Sequence, residues 1–125
     1  MIDIDSFKYV NDNYGHLFGD TVLVAVASAC KEVFRTKDIS CRYGGEEFLI
    51  LLHGADQKAA MIVAERIRKH VQKLSFNEYP EVSVTVSIGI YTSTYQEDLR
   101  DAVACADEAL YRAKESGRNR CILYN

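Results

Sequence analysis

The sequence predicts an α+β fold, a mixed sheet with helices packed on one of its faces. Three observations lead there. Helical and strand periodicities alternate along the chain in the order strand, two helices, hairpin, helix, strand, helix, strand. Two apolar strand-like runs, 39–43 and 48–52, flank Gly44-Gly45-Glu46-Glu47 and read as a hairpin with a four-residue loop. A hairpin inside this alternation puts antiparallel and parallel neighbours in one sheet. The pattern contains a split βαβ arrangement of the ferredoxin-like kind, a superfold that hosts many functions.

Each element has its own warrant. Residues 1–4 are short, apolar and followed by acid, as at the end of a strand. Residues 6–13 suit a short helix closed by Gly15. Asp20 is a good N-cap for the next helix, in which Leu23, Val26, Cys30 and Val33 recur at helical spacing. After the hairpin, Asp56 caps a long helix with Ala60, Val63, Ile67, Val71 and Leu74 on one face. Residues 82–90 alternate strictly, with Val82, Val84, Val86, Ile88 and Ile90 set against Ser83, Thr85, Ser87 and Gly89. Leu99, Val103, Ala106, Leu110 and Ala113 mark a last helix that stops at Gly117, and 121–124 can form a final strand.

Length and composition limit the function classes. The 125 residues make one domain, and the apolar share of 48% with a charged share of 26% is that of a globular chain. No apolar run approaches a membrane span, so no membrane contact by this domain is expected. Fifteen basic and eighteen acidic residues give a net charge of −3, which does not suit binding to a nucleic acid polymer. A small phosphorylated ligand needs only a few placed cations and is not excluded. Cys30, Cys41, Cys105 and Cys121 form no CxxC pair and, with His16, His53 and His70, no zinc pattern. All four are expected to be reduced packing residues, in line with a cytoplasmic location.

Several clusters carry chemistry on one reading and plain structure on another. Asp3, Asp5, Glu46 and Glu47 converge if the first strand neighbours the hairpin. Carboxylates so placed repel unless a cation lies between them, and hard oxygen donors suit Mg²⁺ or Mn²⁺; the plain alternative is four solvated turn residues. Gly44 and Gly45 allow positive φ and close approach of a ligand, or simply a tight turn. Lys114 and Arg118 flank a helix end, where cations favour the dipole; with Lys8 they would also make a phosphate clamp. Asn11 offers donor and acceptor and Asp20 offers acceptors, a set that suits a guanine edge or equally a turn and a helix cap. Arg35 and Asp38, three apart, would ordinarily be a surface ion pair worth less than about 1 kcal/mol.

Together, in this order, the segments are more specific. Asp-Ile-Asp-Ser-Phe-Lys, Asn-Asp-Asn-Tyr-Gly-His, Gly-Asp, Arg-Tyr-Gly-Gly-Glu-Glu-Phe, Val-Ser-Ile-Gly, Ala-Asp-Glu-Ala-Leu-Tyr-Arg-Ala-Lys and Gly-Arg-Asn resemble the GGDEF family of diguanylate cyclases from residue 3 to about residue 120. The resemblance implies condensation of two GTP into cyclic di-GMP and two pyrophosphates by a homodimer. It also implies a nucleotidyl-cyclase, polymerase-palm-like mixed sheet with helices packed around it. By motif position, Asp3, Glu46 and the carbonyl of Ile4 would bind Mg²⁺ (or Mn²⁺), and Glu46 or Glu47 would help deprotonate the attacking 3′-hydroxyl. Lys114 and Arg118 would hold the β- and γ-phosphates with Lys8 and the amides around Ser6 and Phe7, beside Gly44 and Gly45. Asn11 and Asp20 would read guanine.

Arg35-Thr36-Lys37-Asp38, with Arg66, matches the family's product-inhibition site for cyclic di-GMP. The signature here is GGEEF, in which Glu for Asp keeps the charge. The family's N-terminal helix and DxLTGLxNR-like segment are not found, and the first strand, 1–4, is only about 13 Å long. Residues 1–125 are therefore expected to be a single such domain lacking that helix and the start of its first strand. A non-catalytic module that binds GTP or cyclic di-GMP is the alternative that the intact GGEEF, Asp3, Lys114 and Arg118 argue against.

Overall fold

The first strand, β1 (Ile2–Ile4), lies in the middle of the sheet of a computed structural model that describes all 125 residues. It is followed by α1 (Phe7–Tyr14), α2 (His16–Lys31), β2 (Ile39–Arg42), β3 (Glu47–Leu51), α3 (Gln57–Gln72), β4 (Val86–Ile90), α4 (Leu99–Glu115) and β5 (Cys121–Leu123). The strand order is β2-β3-β1-β4-β5. β1 pairs antiparallel with both β3 and β4, and only β4 and β5 run parallel, so the sheet is mixed as expected.

The helices cover both faces, not one. Ile2, Ile4, Val86, Ile88 and Ile90 share a core with Val22 and Val26 of α2 and Ile67 and Val71 of α3. Successive strand residues point to opposite faces. Met1 and Gly89 therefore face α4, where Met1 packs on Ala106 and Leu110. A Cβ on Gly89 would overlap the Ala106 carbonyl oxygen and the Leu110 amide, so the missing side chain is what lets α4 lie directly on β4. All five residues of β4 are buried, and the Ser–Gly face that looked half-polar in sequence is a helix-packing surface.

Two boundaries also differ from the sequence reading. Gly15, at φ 90°, ends α1 and starts α2 in one step, with its N–H on the Asn11 carbonyl oxygen at 2.9 Å. The second helix thus begins at His16, and Asp20 sits inside it as an exposed residue instead of capping it. The expected strand 82–90 is paired only over Val86–Ile90. Val82 and Val84 stay buried in period two, but the ladder ends near Asp5, where the chain turns away towards α1 and leaves 82–84 without a partner. Asp56 does cap α3, accepting from the Ala59 N–H at 2.8 Å. All four cysteines are free thiols; Cys30 is buried, Cys105 and Cys121 are half-buried, and Cys41 is exposed on β2 and is no packing residue.

Candidate active site

β1 brings two acids to one end of the sheet and gives them different surroundings. Asp3 faces α4, is 5% exposed, and takes a 2.8 Å hydrogen bond from the Lys114 ammonium. Directly across the ladder stands Glu47, on the same face. Burial raises the Asp3 pKa, an effect that Lys114 opposes and the charge of Asp5 reinforces. Burial and the negative charge of Asp3 raise Glu47 in the same way, with Lys114 again opposing. Two carboxylates therefore share one ammonium, and the balance of charge favours a further cation.

The hairpin loop closes over this end. The Ile4 N–H donates to the Glu46 carbonyl oxygen at 3.2 Å, and the Ile4 carbonyl, on the same side of the strand, takes no hydrogen bond from the loop. Glu46 is half-buried. Neither Gly44 nor Gly45 adopts positive φ, so the conformational reason expected for them does not hold. Space is the reason that remains: a Cβ on Gly44 would come within 3.1 Å of Glu47 Oε2, and Gly45 faces open space. Arg42, which the sequence reading passed over, grips the loop through the carbonyls of Gly44 (3.2 Å) and Gly45 (2.7 and 3.1 Å). An arginine two residues before Gly-Gly was the available signal.

Past β1, Ser6 is left-handed at φ 55° and caps α1 without a side-chain hydrogen bond. The amides of residues 6–9 precede the first intrahelical bond of α1, from the Val10 N–H to the Ser6 carbonyl, and so form a row of donors at the helix N-terminus suited to an anion. Lys8 is directed elsewhere, 91% exposed and paired with Asp12 at 2.9 Å. Asn11 packs against α2 where a Cβ on Gly19 would overlap its Oδ1, and Asp20 follows immediately. Gly19 is thus what allows Asn11 to stand there. At the end of α4, Lys114 lies in the last turn and Arg118 in a left-handed turn, exposed, at φ 63°.

The Arg35–Asp38 turn stands apart from these residues. The Asp38 side chain is 2% exposed and accepts the Arg35 N–H at 2.9 Å and the His53 N–H at 3.3 Å. The Arg35 guanidinium donates to the His53 carbonyl at 3.3 Å and remains largely in solvent. Arg66 is exposed on α3. A cavity of about 470 Å³ is lined by residues of α3, α4 and the sheet, mostly apolar ones such as Met1, Leu49, Ile88 and Val103, and touches none of the site acids. Charge, not cavity size, locates the site.

The comparisons with known proteins fit this layout. Residues 1–120 match the family described as diguanylate cyclase, GGDEF domain, and the chain belongs to that family. It is 50% identical over 127 residues to diguanylate cyclase A of Treponema denticola, covering 98% of this chain and 34% of that protein. It is 43% identical over 122 residues to diguanylate cyclase DgcM of Escherichia coli K12, covering 98% and 29%. The chain thus spans about a third of the length of these curated relatives. Among solved structures, the active GGEEF domain of a diguanylate cyclase from Vibrio cholerae superposes with a TM-score of 0.91 at 38% identity, covering 99% of this chain and 80% of that one. The GGDEF domain of DgcB from Caulobacter crescentus, solved in complex with c-di-GMP, gives 0.92 at 35% identity, covering 98% and 74%.

Members of this family generally depend on a divalent metal. The donor set here fits one: two carboxylates short of counter-charge, plus the Ile4 carbonyl that the loop leaves unused, are hard oxygen ligands. No three acids, histidines or cysteines gather into a closed cage. That is consistent with Mg²⁺, which is usually held by one or two carboxylates together with substrate phosphates.

Proposed function

We propose that this chain is a diguanylate cyclase domain that joins two GTP molecules into cyclic di-GMP and releases two pyrophosphates. The observation that carries the reading is Asp3, buried on a central strand, faced by Glu47 and held by Lys114 at 2.8 Å. Mg²⁺ or Mn²⁺, held by Asp3, the Ile4 carbonyl and Glu46 or Glu47, would neutralise charge on the phosphates and acidify the 3′-hydroxyl. The helix N-terminal amides of residues 6–9, with Lys114 and Arg118, hold the triphosphate, and the exposed Lys8 reaches it by leaving Asp12. Asn11 and Asp20 receive the guanine edge at the corner of α1 and α2. Glu46 or Glu47 takes the proton of the attacking hydroxyl, a role that the raised pKa of Glu47 favours.

In each of two steps a 3′-oxygen bonds to the α-phosphorus of the other GTP. The α–β phosphoanhydride bond breaks, and pyrophosphate leaves with the electron pair. Each subunit presents one GTP, so two copies must meet face to face, through an interface that is small and transient. Cyclic di-GMP also returns as an inhibitor, gripped by Arg35, on the turn that Asp38 braces, and by Arg66 on α3. No helix is long and apolar enough to cross a membrane, and a cytoplasmic site of action suits a GTP-consuming domain. Mass spectrometry of the products formed from GTP and Mg²⁺ tests the reading. Cyclic di-GMP with pyrophosphate supports it, and nucleotide binding without product returns the chain to a non-catalytic module.

A further inference from the structure

Asp5 stands two residues from Asp3, yet it is built into a different network. It is 8% exposed. Its Oδ1 accepts the Ser87 hydroxyl at 2.6 Å, and its Oδ2 accepts both the Thr85 hydroxyl at 2.7 Å and the backbone N–H of Asn119 at 3.0 Å. Three donors on one carboxylate leave little capacity for a metal ion. The acid that spacing grouped with Asp3 is a fully bonded junction between β1, the approach to β4 and the turn after α4.

That turn is unusual. Gly117 alone is enough to end α4, with its N–H on the Lys114 carbonyl at 3.4 Å and the Arg118 N–H on the Ala113 carbonyl at 3.0 Å. Two further left-handed residues nevertheless follow, Arg118 at φ 63° and Asn119 at φ 45°. A β-carbon disfavours this conformation, so something must hold it. Asp5 holds the Asn119 amide. Arg68 holds its side chain, donating to Asn119 Oδ1 at 3.0 Å while anchored on Glu65 at 2.8 Å. The Arg118 carbonyl accepts from Arg120 at 3.0 Å, whereas the Arg118 guanidinium is bonded to nothing. The backbone is fixed on both sides of a side chain that is free. Strain kept in this way is a mark of functional sites. Asp5 also directly precedes Ser6, the N-cap at which the N-terminal amides of α1 begin.

We propose that Asp5 and Arg68 are positioning residues: they hold the 117–119 turn left-handed, aiming Arg118 at the same phosphates that the amides of residues 6–9 receive. The proposal rests on the reading of Arg118 as a triphosphate ligand. Its test is a double-mutant cycle read by calorimetry of the 125-residue chain with guanosine 5′-(α,β-methylene)triphosphate and Mg²⁺. Arg118→Ala is expected to weaken binding by about tenfold, as loss of a charged phosphate contact does. Asp5→Ala is expected to weaken it by a similar factor, yet by less than about twofold when Arg118 is already alanine. Equal weakening in both backgrounds would overturn the positioning role, since a merely structural defect does not depend on Arg118. No effect of Arg118→Ala itself would overturn the underlying reading, and the proposal with it. Should Asp5→Ala not fold, the same cycle with Arg68→Met, which keeps the length of this half-buried side chain of α3, decides in the same terms.

Discussion

Two turns each hold an arginine beside a buried carboxylate, and they are built in opposite ways. In the 35–38 turn the acid is local, three residues after the arginine, and its oxygens close the turn on itself and on the end of the hairpin. In the 117–119 turn the acid comes from the other end of the chain, 114 positions away. The first turn keeps its shape from neighbours in sequence. The second exists only after β1, β4 and α4 have assembled, and its two strained residues depend on that assembly. A local turn can gain or lose an arginine with little consequence elsewhere, whereas the long-range turn ties Arg118 to the strand that carries Asp3.

The widest separation between the regions should appear when a charge is removed at the sheet end. Glu47→Gln is expected to reduce cyclic di-GMP formation on the order of a thousandfold, the scale of losing a group that acts on developing charge in the transition state. Its melting temperature should stay level or rise, because Glu47 is an acid repelled by Asp3. Glu46→Gln should also abolish most turnover if both acids serve metal and hydroxyl. A well-folded Glu46→Gln protein with substantial activity would assign the work to Glu47 alone, the residue that pairs with Asp3 across the ladder.

Smaller effects should follow at the 35–38 turn, where the two residues ought to separate cleanly. Arg35→Ala should weaken inhibition by cyclic di-GMP about tenfold and leave the initial rate unchanged, because the exposed guanidinium is free to meet a ligand. Denaturant unfolding should show little change for it, as for other exposed ion pairs. Asp38→Ala should cost about 1–3 kcal/mol in the same measurement, since it leaves the Arg35 and His53 amides without their acceptor. If Arg35→Ala inhibits like the parent protein, this arginine is a surface ion pair and no more.

The same contrast explains what was legible in the sequence. The Asp56 cap, the Gly117 stop, the hairpin and the spacing of Arg35 and Asp38 are set by neighbours a few residues apart, and local patterns reveal them. The start of α2 was misread because Gly15 acts before Asp20, and a left-handed glycine restarts a helix as well as a capping acid does. Helix packing on both faces left one trace, the glycine at position 89, which alternation alone read as a polar face. Asp3 and Glu47 were recognisable as acids, but their register decides that Glu47, not Glu46, is the direct partner. The separate role of Asp5 depends on hydroxyls 80 and 82 positions away, and no spacing rule encodes that.

The smallest expected effect concerns pH and compares the sheet-end acids with a carboxylate shifted the other way. Glu47 titrates above its ordinary value of 4.5 because burial, Asp3 and Asp107 all disfavour its charge. The folded protein therefore binds a proton there more tightly than the unfolded chain does. Its contribution to stability is present below pH 4.5 and is lost as pH rises through the raised value. Glu65 behaves oppositely, since its hydrogen bonds from Arg68 lower its pKa, and its contribution is lost as pH falls. Measured alone, the stability of the parent protein mixes the two. The difference between Glu47→Gln and the parent does not, because glutamine has no proton to lose and Glu65 is common to both. That difference should be near its minimum below pH 4.5, grow as pH rises, and level off once Glu47 is fully ionised. Glu47 is only partly screened from water, so the rise should stay within about 1 kcal/mol. Denaturant unfolding at a series of pH values would show it, and a difference that shrinks as pH rises would mean that Lys114 outweighs burial and Asp3, making Glu47 a stabilising anion.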